Sequence, residues 1–308
     1  MKESLFPAKV LLFGEYGILE NSSGLSIPHD FYKGTLKFHS EFNKDILCSN
    51  HEIKKYYNFL SILEKKQILT QLDLKKLEKD IQRGLSFHSN IPQGYGIGSS
   101  GALVAAIYDK YAKNKFNKCL KNKNIIILKK IFSQMESFFH GKSSGIDPLI
   151  CYLNLPLLIR SETDISTIGL PKKKKGEGAI FLLNSGIPSK TSSMIKFFFR
   201  KLKHDKFKKI LKEEFIKYNE KCIEAFLKED FKILLTNVKQ LSTWVLHHFR
   251  PMIPKNFWKI WEEGIFNNIH YLKLCGSGGG GFILGFTPNY DLSRKKLEKY
   301  TMEVLFRF

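Results

Sequence analysis

The stretch Gly94–Tyr111, GYGIGSSGALVAAIYDKY, constrains this chain more than any other part of it. Four glycines and two serines stand directly ahead of an apolar run with helical character. Glycine lets the backbone approach a ligand closely and adopt left-handed φ values. The N–H groups that open a helix point outward and favour an anion. The segment reads as a phosphate-binding loop feeding a helix, and the hydroxyl at its end, Ser100, can reach a Mg²⁺ held by the same phosphates. A plain Gly-Ser helix entry with no ligand stays open at this level.

Several familiar glycine loops do not fit. Residues Gly96–Gly101 satisfy G-x-G-x-x-G, but the dinucleotide fold needs a second strand ending in an acid about twenty positions on. Here the chain continues YDKYAKNKFNKCLKNKN, polar and basic throughout. The partner motifs of a protein kinase are missing. Gly141-Lys142-Ser143 suggests a Walker loop, yet Glu136 stands where its first glycine belongs. The serine-hydrolase elbow fails at Ala102.

Composition narrows the class. With 308 residues, 43% of them hydrophobic, the chain can bury a large core, and two domains sharing a cleft are expected. Cys48, Cys119, Cys151, Cys222 and Cys275 are scattered and form no CxxC pair, so free thiols are expected. No apolar stretch approaches the ~20 residues that span a bilayer, and the start MKESLFPAKVLLFGEY lacks a signal-peptide pattern. A soluble cytoplasmic protein is the expectation. The net charge of +21 raises nucleic-acid binding, which requires a clustered basic face. The lysines are instead spread along the chain, and the one dense run, Lys172–Lys175, lies between Pro171 and Gly176 as a solvated loop. The charge is read as a field that attracts anionic ligands. Neither nucleic acid nor membrane is expected as a partner; a homodimer is left open.

The hydrophobic pattern predicts strands in AKVLLFGEYGILE and FYKGTLKFHSEF, helices in HEIKKYYNFLSILEKK and LDLKKLEKDIQ, and a short strand in GLSFHSNIP leading to the glycine loop. NIIILKKIFSQMESFFHG reads as a helix ended by Gly141, and DPLICYLNLPLLIR as a hairpin, so that Asp147 opens a strand. GAIFLLNSG, YLKLC, GFILGF and VLFRF read as strands, with amphipathic helices between about Thr191 and Asn267 and another near Leu292–Tyr300. The Met and Phe positions of MIKFFFRKLKHDKF are assigned to the core. Strands and helices mix without regular βα alternation, which indicates an α+β fold. The composition break at Pro171–Gly178 sets domains at 1–176 and 177–308.

Three segments together carry a resemblance. IPQGYGIGSSGAL is similar to the central motif of the GHMP kinases, FPAKVLLFGEYGIL resembles their first motif, and KLCGSGGGGFILGF their third. A fourth, ESFFHGKSSGIDP, is similar to the mevalonate kinase pattern, with Glu136 and Asp147 eleven positions apart. The resemblance implies an N-terminal domain like ribosomal protein S5 domain 2, a C-terminal ferredoxin-like domain, and a substrate between them. It implies ATP on Gly94, Gly96, Gly98, Ser99 and Ser100, and Mg²⁺ on Ser100 and Glu136. Asp147 is then the base toward the attacking hydroxyl, with Lys9 beside it steadying the charge. Substrate contacts fall to Glu15, Tyr16, Ser144 and Thr191. The activity implied is ATP-dependent phosphorylation of the 5-hydroxyl of mevalonate in isoprenoid precursor synthesis.

Departures from the motifs keep other readings open. Pro7-Ala8-Lys9 replaces Pro-Gly-Lys, Ser143 stands where proline is usual, and Gly14-Glu15-Tyr16 replaces Gly-Glu-His. The last of these is common in phosphomevalonate kinases, the runner-up, with another GHMP small-molecule kinase behind it. A sensor that binds nucleotide without catalysis should have lost Lys9, Glu136 or Asp147, and all three are present. Adjacent His247 and His248 point apart on a helix, which disfavours a shared metal; Arg250 reads equally as an anion contact or a surface residue.

Overall fold

The computed structural model describes residues 4–39, 43–116, 122–172, 175–189 and 191–308. Cys119, Lys173 and Lys174 lie outside the described residues. In chain order the strands are β1 (Phe6–Phe13), β2 (Gly24–Lys37), β3 (Ser86–Ser89), β4 (Leu157–Ile159), β5 (Ile165–Thr167), β6 (Ala179–Asn184), β7 (Tyr271–Leu274), β8 (Phe282–Thr287) and β9 (Met302–Arg307). The helices are α1 (Lys44–Lys65), α2 (Leu74–Gln82), α3 (Ser99–Tyr111), α4 (Asn122–His140), α5 (Ile146–Leu153), α6 (Thr191–Leu202), α7 (Asp205–Ile210), α8 (Lys217–Leu227), α9 (Phe231–His248), α10 (Trp258–Phe266) and α11 (Tyr290–Lys296). A π-helical turn, Leu211–Ile216, joins α7 to α8. The fold is α+β, as the irregular mixing of elements indicates.

The chain divides into two compact units. The first comprises residues 1–9, 28–92 and 98–155; the second comprises 10–27, 93–97 and 156–308. The domain boundary between 176 and 177 is retained as a proposal.

In the first unit the C-terminal part of β2 runs antiparallel to β3, with Thr35 opposite His88. Asn43 caps α1, its side chain accepting from the Ile46 N–H at 2.9 Å, and Asp73 caps α2 in the same way through Lys76 at 3.0 Å. The core of this unit includes Tyr56, Leu60, Leu77, Val104, Ile107, Tyr108, Phe132, Leu149 and Tyr152. Tyr108 meets Phe132 and Tyr152 edge-on, with centroids 5.0 and 5.3 Å apart.

In the second unit Gly24–Ser26 of β2 pair with β4, and β4 pairs with β5. A four-stranded antiparallel sheet follows, ordered β7-β8-β6-β9. Its sequence of strand, helices, two strands, helix and strand is the ferredoxin-like βαββαβ arrangement. Every residue of β8 is buried, and β6 is buried up to Leu183, so neither strand alternates. Trp244, Phe249, Phe257 and Trp261 are buried in this unit's core.

Two local expectations are corrected. DPLICYLNLPLLIR is not one hairpin: its first half is α5, and only the second half enters the β4–β5 pair. Asp147 lies in the first turn of that helix rather than at a strand start. The reason is burial. Ile146 and Pro148–Leu153 are all buried, so α5 shows no polar face, and its apolar run cannot be told from a buried strand by periodicity. In MIKFFFRKLKHDKF, Phe198 and Phe207 are core residues, whereas Phe199 is half exposed and Ile195 is exposed as well.

Candidate active site

The glycine loop uses its glycines conformationally. Gly94, Gly96 and Gly98 have φ of 77°, 77° and 81°, values in the left-handed region that L side chains avoid. Gly98 is the N-cap of α3, and the Ala102 N–H makes the first intrahelical bond to its carbonyl at 3.0 Å. The amides of Ser99 and Ser100 ahead of that bond open the helix N-terminus, where the helix dipole favours negative charge. The chain passes from the second unit to the first within this loop, between Ile97 and Gly98.

Within the first unit the structure brings four of the expected residues together. Lys9, on β1, places Nζ 3.1 Å from Asp147 Oδ2. The lysine is buried, and its carboxylate partner is about one-third exposed. Two glycines make room for this arrangement. A Cβ at Gly98 would lie 2.8 Å from Lys9 Cγ, and one at Gly101 would lie 2.9 Å from both the Asp147 carbonyl carbon and the Pro148 nitrogen. Gly101 thus lets α5 approach α3 at the turn that carries Asp147.

Ser100, the second residue of α3, donates from Oγ to Glu136 Oε1 at 3.3 Å. Glu136 projects from α4 and is buried. Burial, followed by repulsion from Asp147, pushes its carboxyl up to about 8, against the opposing influence of Ser143, Lys9 and Ser100. Ser144 accepts from the Ile146 N–H at 3.3 Å at the start of α5 and is exposed.

The remaining expected residues belong to the second unit. Glu15 is buried against Lys273 of β7 in a direct ion pair. Tyr16 has φ of 60°, unusual for an aromatic residue. Its hydroxyl donates to the Ser277 carbonyl at 2.7 Å, and its ring packs on Phe198 and Phe249 with centroids 4.6 and 5.4 Å away. Burial and the adjacent Glu15 carboxylate hold that phenol well above its ordinary range. Thr191 opens α6 and accepts from Ser277 Oγ at 3.2 Å. Gly276 and Gly278–Gly281 all have positive φ and form the turn between β7 and β8. A Cβ at Gly96 would lie 2.7 Å from the Cys275 carbonyl oxygen, so this turn and the start of the glycine loop pack backbone to backbone.

Sequence reasoning passed over Lys273, Gly101 and Cys151. Lys273 lies within the apolar strand YLKLC and carried the same signal as Lys9, an ammonium among buried neighbours that needs a partner. Cys151 lies one turn after Asp147, with Sγ 3.9 Å from the Gly98 carbonyl. Nothing in the sequence marked it.

His247 and His248 end α9. His248 packs on Trp244 with centroids 4.5 Å apart, which is a packing role. Arg250 pairs with Glu262 at 2.9 Å and lies 4.5 Å over the Trp258 ring, so it is held at the surface of its own unit. Cys48, Cys151 and Cys222 are free thiols. Among the described residues no helix is long and apolar enough to cross a membrane.

Residues 62–154, which include the glycine loop, Glu136 and Asp147, match the family described as GHMP kinases N terminal domain. Over those residues the chain is similar to that domain. It is 27% identical over 163 residues to the mevalonate kinase of Pyrococcus abyssi, covering 47% of each chain. The chain spans about half the length of the curated relatives it matches. The L. major mevalonate kinase in complex with R-mevalonate has the same fold, with a TM-score of 0.62 at 16% identity over 97% of this chain and 90% of that one. So has the Streptococcus pneumoniae phosphomevalonate kinase in complex with phosphomevalonate and AMPPNP, with a TM-score of 0.58 at 14% identity, covering 99% of this chain and 100% of the other. At such identities these likenesses establish a shared fold, not the acceptor.

Proposed function

We propose that this protein is an ATP- and Mg²⁺-dependent small-molecule kinase that transfers the γ-phosphate of ATP to the primary 5-hydroxyl of mevalonate, giving 5-phosphomevalonate and ADP. The observation that carries the reading is the Lys9–Asp147 pair, 3.1 Å apart, on the turn that Gly101 presses against the helix opened by the phosphate loop. Asp147 carries the oxygen that accepts the proton, and the Lys9 ammonium lies beside it. Asp147 takes the hydroxyl proton as the alcohol oxygen bonds to the γ-phosphorus, and the bond to the β-phosphate oxygen breaks with its electron pair leaving on ADP. Lys9 holds Asp147 in place and offsets charge that builds during transfer. The open N-terminus of α3 and the glycine loop cradle the phosphates.

The donors at Ser100 and Glu136 fit a hard divalent cation: both are oxygens, and they lie 3.3 Å apart. A cation there would also relieve the repulsion from Asp147 that raises Glu136. Among the described residues no group of three or more His, Cys, Asp or Glu side chains gathers to hold a metal, so phosphate and water oxygens must complete the shell. When bound, Mg²⁺ neutralises the β- and γ-phosphate oxygens.

Phosphomevalonate is the second acceptor to weigh, favoured by Tyr16, whose hydroxyl is engaged by the Ser277 carbonyl. A cytoplasmic location belongs to the same proposal. The test is ADP release with ATP and Mg²⁺ across mevalonate, phosphomevalonate, galactose and homoserine. Turnover with mevalonate well above the others is expected. Turnover with phosphomevalonate instead moves the assignment to the second acceptor, and no acceptor-dependent ADP release refutes both.

A further inference from the structure

The turn between α4 and α5 is fastened to the face of α4 that carries Glu136. Lys129, Ser133 and Glu136 follow one another at helical spacing along that face. Ser133 Oγ donates to the Ser143 carbonyl at 2.5 Å. Gly145 lies so close that a Cβ there would fall 2.2 Å from the Lys129 carbonyl oxygen and 2.6 Å from the Ser133 nitrogen. The turn is therefore fixed against the helix, and Ser143 is delivered to one place.

At that place the Ser143 hydroxyl has a defined polarity. Its oxygen accepts from the Gly145 N–H at 3.1 Å, and its single proton is donated to Glu136 Oε2. The other carboxylate oxygen, Oε1, is the one that meets Ser100. The two hydroxyls thus hold opposite oxygens of one buried carboxylate. A carboxyl group rotating about its last bond would otherwise sample a broad range, and a hydroxyl held at each of its oxygens removes that freedom.

We propose that Ser143 is a positioning residue: by holding Oε2 of Glu136 it presents Oε1, together with Ser100 Oγ, to the divalent cation of a bound nucleotide. This inference rests on the reading of Ser100 and Glu136 as cation ligands given above. Ser143 itself touches neither nucleotide nor acceptor in this account.

Two measurements on Ser143→Ala and Ser143→Thr test it separately from the kinase assignment. The first is a crystal structure of each variant without ligands. In the alanine variant Glu136 Oε1 should leave hydrogen-bonding reach of Ser100 Oγ, moving beyond about 3.5 Å, and in the threonine variant it should stay. An alanine variant that keeps the Ser100–Glu136 contact unchanged overturns the proposal.

The second is Mn²⁺ binding in the presence of AMPPNP, followed by the electron paramagnetic resonance signal of free Mn²⁺, with AMPPNP binding in EDTA as the control. Loss of one charge-assisted hydrogen bond should weaken Mn²⁺ binding in Ser143→Ala by about tenfold or more. Ser143→Thr should restore it, and metal-free AMPPNP binding should not change. Equal Mn²⁺ affinity in wild type and Ser143→Ala, or equal loss in both variants, also overturns the proposal. If the wild type binds no Mn²⁺ with AMPPNP, the cation reading of Ser100 and Glu136 fails, and the crystal structures still decide whether Ser143 orients Glu136.

Discussion

Gly101→Ala probes how the fold sets the position of Asp147. A methyl group at residue 101 would lie 2.9 Å from the Asp147 carbonyl carbon and from the Pro148 nitrogen, and 3.1 Å from Asp147 Cβ. The first two obstacles are backbone, which cannot rotate away as a flexible side chain would. Relief to ordinary contact at 3.4 Å requires α5 to retreat from α3 by roughly half an ångström. Overpacking of this kind costs about 1–3 kcal/mol, which lowers Tm by several degrees. Asp147 rides on the displaced turn, so under the proposed function the aspartate shifts relative to phosphates bound at the start of α3. Misplacement by an ångström can cost about a hundredfold in rate; half of that should lower kcat by about tenfold, with KM for ATP less affected. Differential scanning calorimetry and steady-state ADP release measure the two effects. A Gly101→Ala enzyme with wild-type Tm and kcat would refute the argument that the α3–α5 approach places the base.

Other outcomes follow from the same geometry. Lys273→Met leaves the Glu15 carboxylate buried without its ammonium and should destabilise the protein by about 3–5 kcal/mol in urea unfolding; adding Glu15→Leu should recover most of that loss, and a failure to recover would show that the pair is not the cause. Glu136, pushed up to about 8 from an ordinary 4.5, keeps its proton in the folded state where the unfolded chain has released it. Its contribution to the ligand-free protein is full below about 4.5 and is lost as pH rises through about 8, so wild type should lose stability across that window relative to Glu136→Gln; parallel curves for the two proteins would contradict the assignment.

Much of the candidate site was legible because the proposed chemistry needs rare residue types in fixed places. The glycine loop announced itself through residues that only left-handed backbone requires, and Gly94, Gly96 and Gly98 do adopt that conformation. Lys9 is named by the first of the resembling motifs, and its partner is Asp147. What could not be read was contact between segments distant in sequence. The helix α5 reads as a strand in the sequence because burial on all sides erases the polar face from which a helical period is read. Lys273 needed the same attention to a buried charge as Lys9, and its partner Glu15 lies far away in sequence. Ser143 looked like a departure from a motif, and only coordinates reveal the carboxylate oxygen it holds.

The central claim is that Asp147 is the group that accepts the proton of the attacking alcohol. Its most direct test is single-turnover phosphoryl transfer by Asp147→Asn, alongside ATP binding by calorimetry. The amide keeps the shape and loses the basicity, so the transfer rate should fall by about 10²–10⁴-fold while ATP affinity stays within a few-fold of wild type. A variant that transfers phosphate at the wild-type rate contradicts the account.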